Sequence, residues 1–313
     1  MKSSISVCIP TYQRPQLLKE AIYSVIEQTL QPVEIVIGDD SRDELTANMI
    51  ADIKKECKIP IFYTKHSRSL GQAKNTNFIY EMAKGDKIVL LHDDDLLLPN
   101  ALKDLNSCWD LNPDLVAAYG KQYIISEEGV IDMEHSSRLN QMFFRTSDRA
   151  GLQKSSLEAA LLHQFPNDGF MILASAAKVI KWRSYEEVGN GGEFDFSLRL
   201  AIKYQNFFFL DKYTAKYRLC EFSMTRDLSD DAASQSFNMI LHTNFPDHLS
   251  SAKDYELKRE APIAIIQLIN AGKKKQALDI YFSKYHPLSK RLSWGGFRRL
   301  LKVVLPQLIG KFI

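Results

Sequence analysis

Along the first 120 residues the apolar positions alternate between two spacings. Residues 4–9 form a short strand-like run that stops at Pro10. Pro15 then opens a helical segment in which Leu17, Leu18, Ala21, Ile22, Val25 and Ile26 share one stripe. Residues 33–37 read as a second strand stopped at Gly38, 43–57 as a helix and 59–64 as a third strand. Residues 72–84 read as a helix ended by Gly85, and 87–91 as a fourth strand. Strand and helix in alternation, with strands apolar throughout rather than at every second position, predict a parallel sheet covered on both faces. The pattern then loosens. Residues 115–126 suggest a strand or hairpin, and 127–153 are polar and read as loop-rich. The glycine-rich stretch 189–192 leads into a helix carrying Phe196, Leu198, Leu200 and Ala201. Residues 207–210 and 212–218 read as two strands, and the chain from 229 onward as mostly helical. There is no internal repeat.

Composition narrows the class. The 313 residues, 45% hydrophobic and 25% charged, suit one large domain or one domain with a small appendage. Cys8, Cys57, Cys108 and Cys220 are scattered singly, which argues against a zinc site or disulfide framework and fits a reducing cytoplasm. The N-terminal apolar run is too short for a signal peptide, and no run approaches the roughly 20 residues that span a bilayer. A net charge of +2 implies no nucleic-acid partner. The charge is uneven, however. No acid follows Asp279, while Lys284, Lys290, Arg291, Arg298, Arg299, Lys302 and Lys311 accumulate. Residues 293–313 mix these cations with large apolar side chains. Such a tail can lie on an anionic bilayer or pack on the domain with its cations solvated.

In parallel sheets, ligands bind beyond the carboxyl ends of the strands. Two acidic clusters fall there: Asp39-Asp40 after the second strand and Asp93-Asp94-Asp95 after the fourth. Three adjacent carboxylates repel one another. A solvated turn can tolerate that, but a buried strand end calls for a cation, and open carboxylates suit Mg²⁺ or Mn²⁺ shared with phosphates. Asp39-Asp40 can cap the next helix or accept the ring N–H of uracil, thymine or guanine. Glu193 and Asp195, two apart after the glycine-rich loop, can be general bases or merely favourable charges at a helix start.

Taken in order, these segments resemble the inverting family-2 glycosyltransferases of GT-A fold over residues 4–226. Ser6-Val7-Cys8-Ile9-Pro10-Thr11-Tyr12-Gln13-Arg14 resembles the family's opening strand, S-V-x-I-P-x-Y-N-R. Gln28-Thr29 with Glu34-Ile35-Val36-Ile37 is similar to Q-T…E-I-I-V-V, and Asp39-Asp40-Ser41 to D-D-x-S. Gly71-Gln72-Ala73-Lys74-Asn75 resembles G-x-x-x-A-R-N, shortened by two and with lysine for arginine. Residues 91–99, Leu-His-Asp-Asp-Asp-Leu-Leu-Leu-Pro, resemble the D-x-D region, and 192–200 the E-D-x-D-x-x-L-R-L helix. Tyr217-Arg218 with Ser223-Met224-Thr225 resembles Y-R-x-H-x-x-S-x-S.

The resemblance implies an α/β Rossmann-like, mostly parallel sheet flanked by helices, with a catalytic domain over 1–226 and a helical, basic extension over 227–313. It implies transfer of a sugar, with inversion, from a nucleotide-diphosphate donor (a UDP-sugar) to a hydroxyl of a glycan or lipid-linked acceptor, in surface polysaccharide or glycoconjugate synthesis. Pro10, Tyr12, Arg14, Asp40, Lys74, Asp93 and Asp94 would form the donor site, with Asp40 at the base and Asp93 at the ribose. Asp94 and Asp95 would hold Mn²⁺ or Mg²⁺. Glu193 would be the base, supported or replaced by Asp195. Three positions depart from the family: His92 for the first aspartate of D-x-D, Gly192-Glu193 for Glu-Asp, and Cys220 for a histidine near the metal. Two other readings compete, a nucleotidyltransferase and a catalytically degenerate binding protein. The former should carry G-x-G-x-R where this chain has Pro10-Thr11-Tyr12-Gln13-Arg14. The loops over 127–190, which set sugar and acceptor, carry no diagnostic motif, and the helical C-terminal third could supply a homodimer surface.

Overall fold

The computed structural model describes residues 4–219 and 231–304. Their contacts divide them into two units: 4–184 with 196–219, and 185–195 with 231–304.

The first unit opens with β1 (Ile5–Thr11), α1 (Pro15–Ile26), β2 (Glu34–Asp39), α2 (Leu45–Glu56), β3 (Ile61–Lys65), α3 (Gln72–Met82) and β4 (Lys87–Leu90). It continues with β5 (Leu96–Leu97), α4 (Ala101–Leu111), β6 (Ala117–Ile125), β7 (Ile131–Asp132) and α5 (Met133–Met142). After these come β8 (Gly151–Leu152), α6 (Ser156–Leu161), β9 (Met171–Leu173) and α7 (Ala174–Ile180). Beyond α8 (Tyr185–Val188), α9 (Gly192–Lys203) and β10 (Phe207–Arg218) follow. The strands form one sheet in the order β3-β2-β1-β4-β9-β6-β10-β5, with β7 on β6 and β8 on β10. As expected, β1 to β4 pair in parallel. The short β9 inserts antiparallel between β4 and β6, and β6 pairs in parallel with β10.

Alternation along β1 explains the two covered faces. Ile5, Val7 and Ile9 join α1 residues Leu18, Ile22 and Val25 in one core. Cys8, pointing the other way, joins Ile79 and Tyr80 of α3 and Phe196 and Leu200 of α9 in a second.

Two departures from the expected pattern have physical causes. Residues 127–153 contain α5, a helix without an apolar stripe. Asp132 caps it by accepting from His135 N at 2.9 Å. Its buried face carries Ser136 and Asn140, which bond the backbone of β6: Ile124 N donates to Ser136 Oγ at 2.8 Å, and Asn140 Nδ2 to Gln122 O at 2.9 Å. Polar side chains here serve as a sheet edge, so hydrophobic periodicity is blind to them. Residues 207–218 form one strand rather than two, with the interruption at 210–212 appearing as a register shift against β6.

The second unit comprises α8, the first turn of α9, α10 (Ala232–His242), α11 (Ser250–Asn270), α12 (Lys274–Phe282), α13 (Leu288–Arg291) and α14 (Trp294–Val304). Leu268, Ala277 and Val303 form a core joining α11, α12 and α14. The glycine-rich loop has a packing reason. Asp231 accepts from Asn190 N at 2.8 Å, and a Cβ on Gly189 (φ +55) would stand 2.4 Å from Asp231 Oδ2. No helix among the described residues is long and apolar enough to cross a membrane.

Candidate active site

Parallel register brings the carboxyl ends of β1, β2 and β4 to one edge: Thr11 lies opposite Asp39, and Cys8 opposite Leu90. Pro10 is half-buried near the end of β1 and Thr11 after it is buried; Tyr12 follows the strand and is exposed, and Gln13 adopts φ +54 while donating its N–H to Ser41 Oγ at 2.8 Å. That turn directs Arg14 across the edge. Its Nη1 lies 2.6 Å from Asp94 Oδ2 and 3.6 Å from Asp93 Oδ1.

At the end of β2 every carboxylate oxygen meets a donor. Asp39 Oδ1 accepts from Ser41 N and Oδ2 from the Tyr63 hydroxyl, both at 2.7 Å. Asp40 accepts from Leu70 N and Gly71 N, both at 2.9 Å, one on each oxygen. Asp40 thereby holds the turn into α3. Gly71 takes φ +80 there, and Lys74 stands exposed on the helix's first turn. Gly38 allows α3 this close: a Cβ on it would stand 2.0 Å from Asn75 Oδ1.

The end of β4 is different. Asp93 accepts from Thr11 Oγ1 at 2.7 Å and Tyr12 N at 3.3 Å, yet burial and the neighbouring Asp94 charge push its carboxyl up to about 6. Asp95 is fully buried. Its Oδ1 accepts from Arg218 N at 2.7 Å, while no hydrogen-bond donor among the described residues reaches Oδ2. Burial first, then the charges of Asp168 and Asp94, raise its carboxyl well above the usual range. His92 Nδ1 lies 3.9 Å from that oxygen, and one ligand atom each from His92, Asp94 and Asp95 falls within 4.8 Å of the others. The replacement of an acid by His92 therefore leaves a three-residue donor set of the kind that holds a divalent ion.

The structure thus gathers Pro10, Tyr12, Arg14, Asp40, Asp93, Asp94 and Asp95 at one edge, with Lys74 on the helix that Asp40 anchors. Glu193 and Asp195 lie in the first turn of α9, in the second unit, Glu193 half-buried and Asp195 buried. Cys220 and residues 223–225 lie outside the described residues.

Two supporting residues had no role assigned in the sequence reading. Arg218 is buried and donates from Nε to Asp94 O at 2.9 Å, from Nη1 to Glu127 O and from Nη2 to Glu20 Oε2 at 2.6 Å, stapling the acidic loop. Its position in the Tyr-Arg motif was its signal. Asp168 accepts from His92 N and Gln122 Nε2, both at 3.0 Å, beneath the same loop. It sits in an aperiodic turn before Gly169 (φ +68), and nothing in the sequence marks it.

Fold and site together define a GT-A glycosyltransferase domain. The structure aligns with S. aureus TarS in complex with UDP-GlcNAc at a TM-score of 0.63, covering 96% of this chain and 90% of that one at 18% identity. It aligns with the mannosyltransferase PcManGT of Pyrobaculum calidifontis, in complex with GDP-Man and Mn²⁺, at 0.59, covering 98% and 88% at 13% identity. In sequence it is 25% identical over 218 residues to the GalNAc(5)-diNAcBac-PP-undecaprenol beta-1,3-glucosyltransferase of Campylobacter jejuni, covering 69% of this chain and 64% of that enzyme. Residues 6–162 match Glycosyl transferase family 2, and the chain belongs to that family.

Proposed function

We propose that the protein transfers a sugar from a nucleotide-diphosphate donor, a UDP-sugar, to a hydroxyl of a glycan or lipid-linked acceptor, inverting the anomeric centre. The observation that supports this reading is the donor set after β4, where His92, Asp94 and Asp95 converge and, among the described residues, no hydrogen-bond donor reaches the buried Asp95 Oδ2. Those three residues would hold Mn²⁺ or Mg²⁺. When bound, the ion stabilises the departing diphosphate as a Lewis acid, an effect worth several kcal/mol.

The chain's own groups supply the rest. Asp40 keeps lone pairs beyond the two used by Leu70 and Gly71, and these can accept a ring N–H of uracil. Asp93 bonds the ribose, while Arg14 and Lys74 place positive charge beside the phosphates. Pro10 and Tyr12 shape the wall between base and phosphates. Glu193 takes the proton of the acceptor hydroxyl as that oxygen attacks the anomeric carbon opposite the diphosphate. The new C–O bond forms as the sugar–phosphate bond breaks, the electron pair leaves with the diphosphate, and Glu193 keeps the proton. General-base help of this kind is worth about 10²–10⁴-fold. Asp195 supports Glu193 or takes its place. The name of the Campylobacter relative puts its substrate on a lipid diphosphate, which supports a lipid-linked acceptor and a site of action at the inner face of the cell membrane.

Transfer from UDP-sugars, assayed with Mn²⁺, with Mg²⁺ and with chelator, tests this. Glu193→Gln should keep donor affinity and lose transfer by about 10²–10⁴-fold. Undiminished transfer by that variant would remove Glu193 from the role of base.

A further inference from the structure

The last helix among the described residues, α14, has only half of its apolar surface covered by other described residues of the second unit. Around α14, Gly296, Leu300 and Val303 occupy one flank of the apolar arc, and Trp294, Phe297 and Leu301 the other. The first flank is packed. A Cβ on Gly296 would stand 2.1 Å from Lys290 O, and Val303 joins Leu268 and Ala277 in the core. The second flank is open. Trp294 is 73% exposed and Phe297 49%, their rings 6.2 Å apart, and Leu292 at 78% and Leu288 at 62% continue the apolar surface toward α13.

Cations border this flank. Lys290 and Arg298 are exposed and Lys302 is half-buried. Arg291 is spent elsewhere, donating to the carbonyls of Phe282, Ser283 and His286 at the end of α12. No acid follows Asp279 to offset them.

We infer that this flank docks on an anionic lipid bilayer, with Trp294, Phe297 and Leu292 entering the boundary between headgroups and acyl chains, and Lys290, Arg298 and Lys302 against lipid phosphates. Charge complementarity selects the occupant. A nucleic acid would use the cations but gain nothing from exposed leucines, whereas a bilayer uses both. A second copy of the chain, meeting this patch across a two-fold axis, would set the same cations against each other. The inference concerns the second unit alone and does not depend on the sugar or nucleotide used at the acidic loop.

Trp294 supplies its own probe. The chain has three tryptophans, and Trp109 and Trp182 are buried, at 9% and 6% exposure. The full chain should co-sediment with vesicles containing phosphatidylglycerol and not with pure phosphatidylcholine, its emission shifting to the blue and becoming quenched by brominated acyl chains. Arg298→Gln with Lys302→Gln should weaken binding roughly 25-fold, at about a factor of five per cation. Trp294→Ala with Phe297→Ala should abolish it while leaving the melting transition in place, since both side chains are exposed. Equal binding to both vesicle types, binding to neither, or anionic binding without a Trp294 shift would each overturn the inference. So would a dimer in light scattering that Phe297→Ala dissolves, in a protein that ignores vesicles.

Discussion

The two acidic clusters at the carboxyl edge of β2 and β4 have similar sequences and opposite electrostatics. After β2, Ser41 N, the Tyr63 hydroxyl, Leu70 N and Gly71 N each serve one carboxylate oxygen of Asp39 or Asp40. After β4, Asp93 accepts from Thr11 Oγ1 and Tyr12 N and shares the Arg14 guanidinium with Asp94, but Asp95 keeps a buried oxygen that no donor among the described residues reaches. The first cluster is complete as a piece of folded protein. The second is stable as a carboxylate set only with more positive charge nearby, and that shortfall is what a cation-dependent site requires. Adjacent aspartates are therefore not evidence of a metal in themselves; the unmet charge around them is.

Substitutions at the two clusters should separate these roles. The largest effect is expected for Asp94→Asn, which should cost roughly 10³-fold in transfer, as expected when several kcal/mol of leaving-group stabilisation is lost, with the fold intact by circular dichroism. A loss of tenfold or less would mean that the cluster is not where the leaving group is stabilised. Next comes Arg218→Met. Removing a buried guanidinium that ties Asp94 O, Glu127 O and Glu20 should cost on the order of 3 kcal/mol in urea unfolding, and should lower turnover along with stability. Asp39→Asn should behave oppositely to Asp94→Asn, costing about 1–3 kcal/mol of stability through one unpaired donor while nucleotide affinity holds. A matching loss of affinity would erase the distinction between the clusters.

The smallest effect lies at the far end of β4 and serves as a control on pH. Burial pushes the Lys87 ammonium down to about 8, beside Asn106 Oδ1 at 2.8 Å and over the Trp109 ring at 3.8 Å. The folded state then binds fewer protons than the unfolded one between about 8 and the ordinary lysine value of 10.5. Stability from this group should rise with pH across that window, and Lys87→Met should flatten that rise in thermal melts.

Much of this was legible because the relevant segments obey one period at a time. The β1 to β4 run is read directly from buried strands alternating with amphipathic helices, and both acidic clusters follow from where those strands end. What escaped the reading is polar structure packed on polar structure. Ser136 and Asn140 make α5 a hydrogen-bonding face rather than an apolar one, so its segment resembles a loop. Asp168 reaches His92 N from a turn 76 residues away in sequence, and no local pattern encodes that contact. Segment 185–195, with Glu193 and Asp195, groups with the C-terminal helices, a partition that depends on Asp231 meeting the glycine loop rather than on periodicity.

The central claim is that the Asp93–Asp95 edge binds a nucleotide diphosphate through a divalent ion. Calorimetric titration of UDP, GDP and dTDP, with and without Mn²⁺, into the wild type and Asp94→Ala tests it most directly. The account predicts binding of UDP that needs Mn²⁺ and disappears in the variant. Binding of no nucleotide under either condition, or UDP binding indifferent to both Mn²⁺ and Asp94, would contradict it.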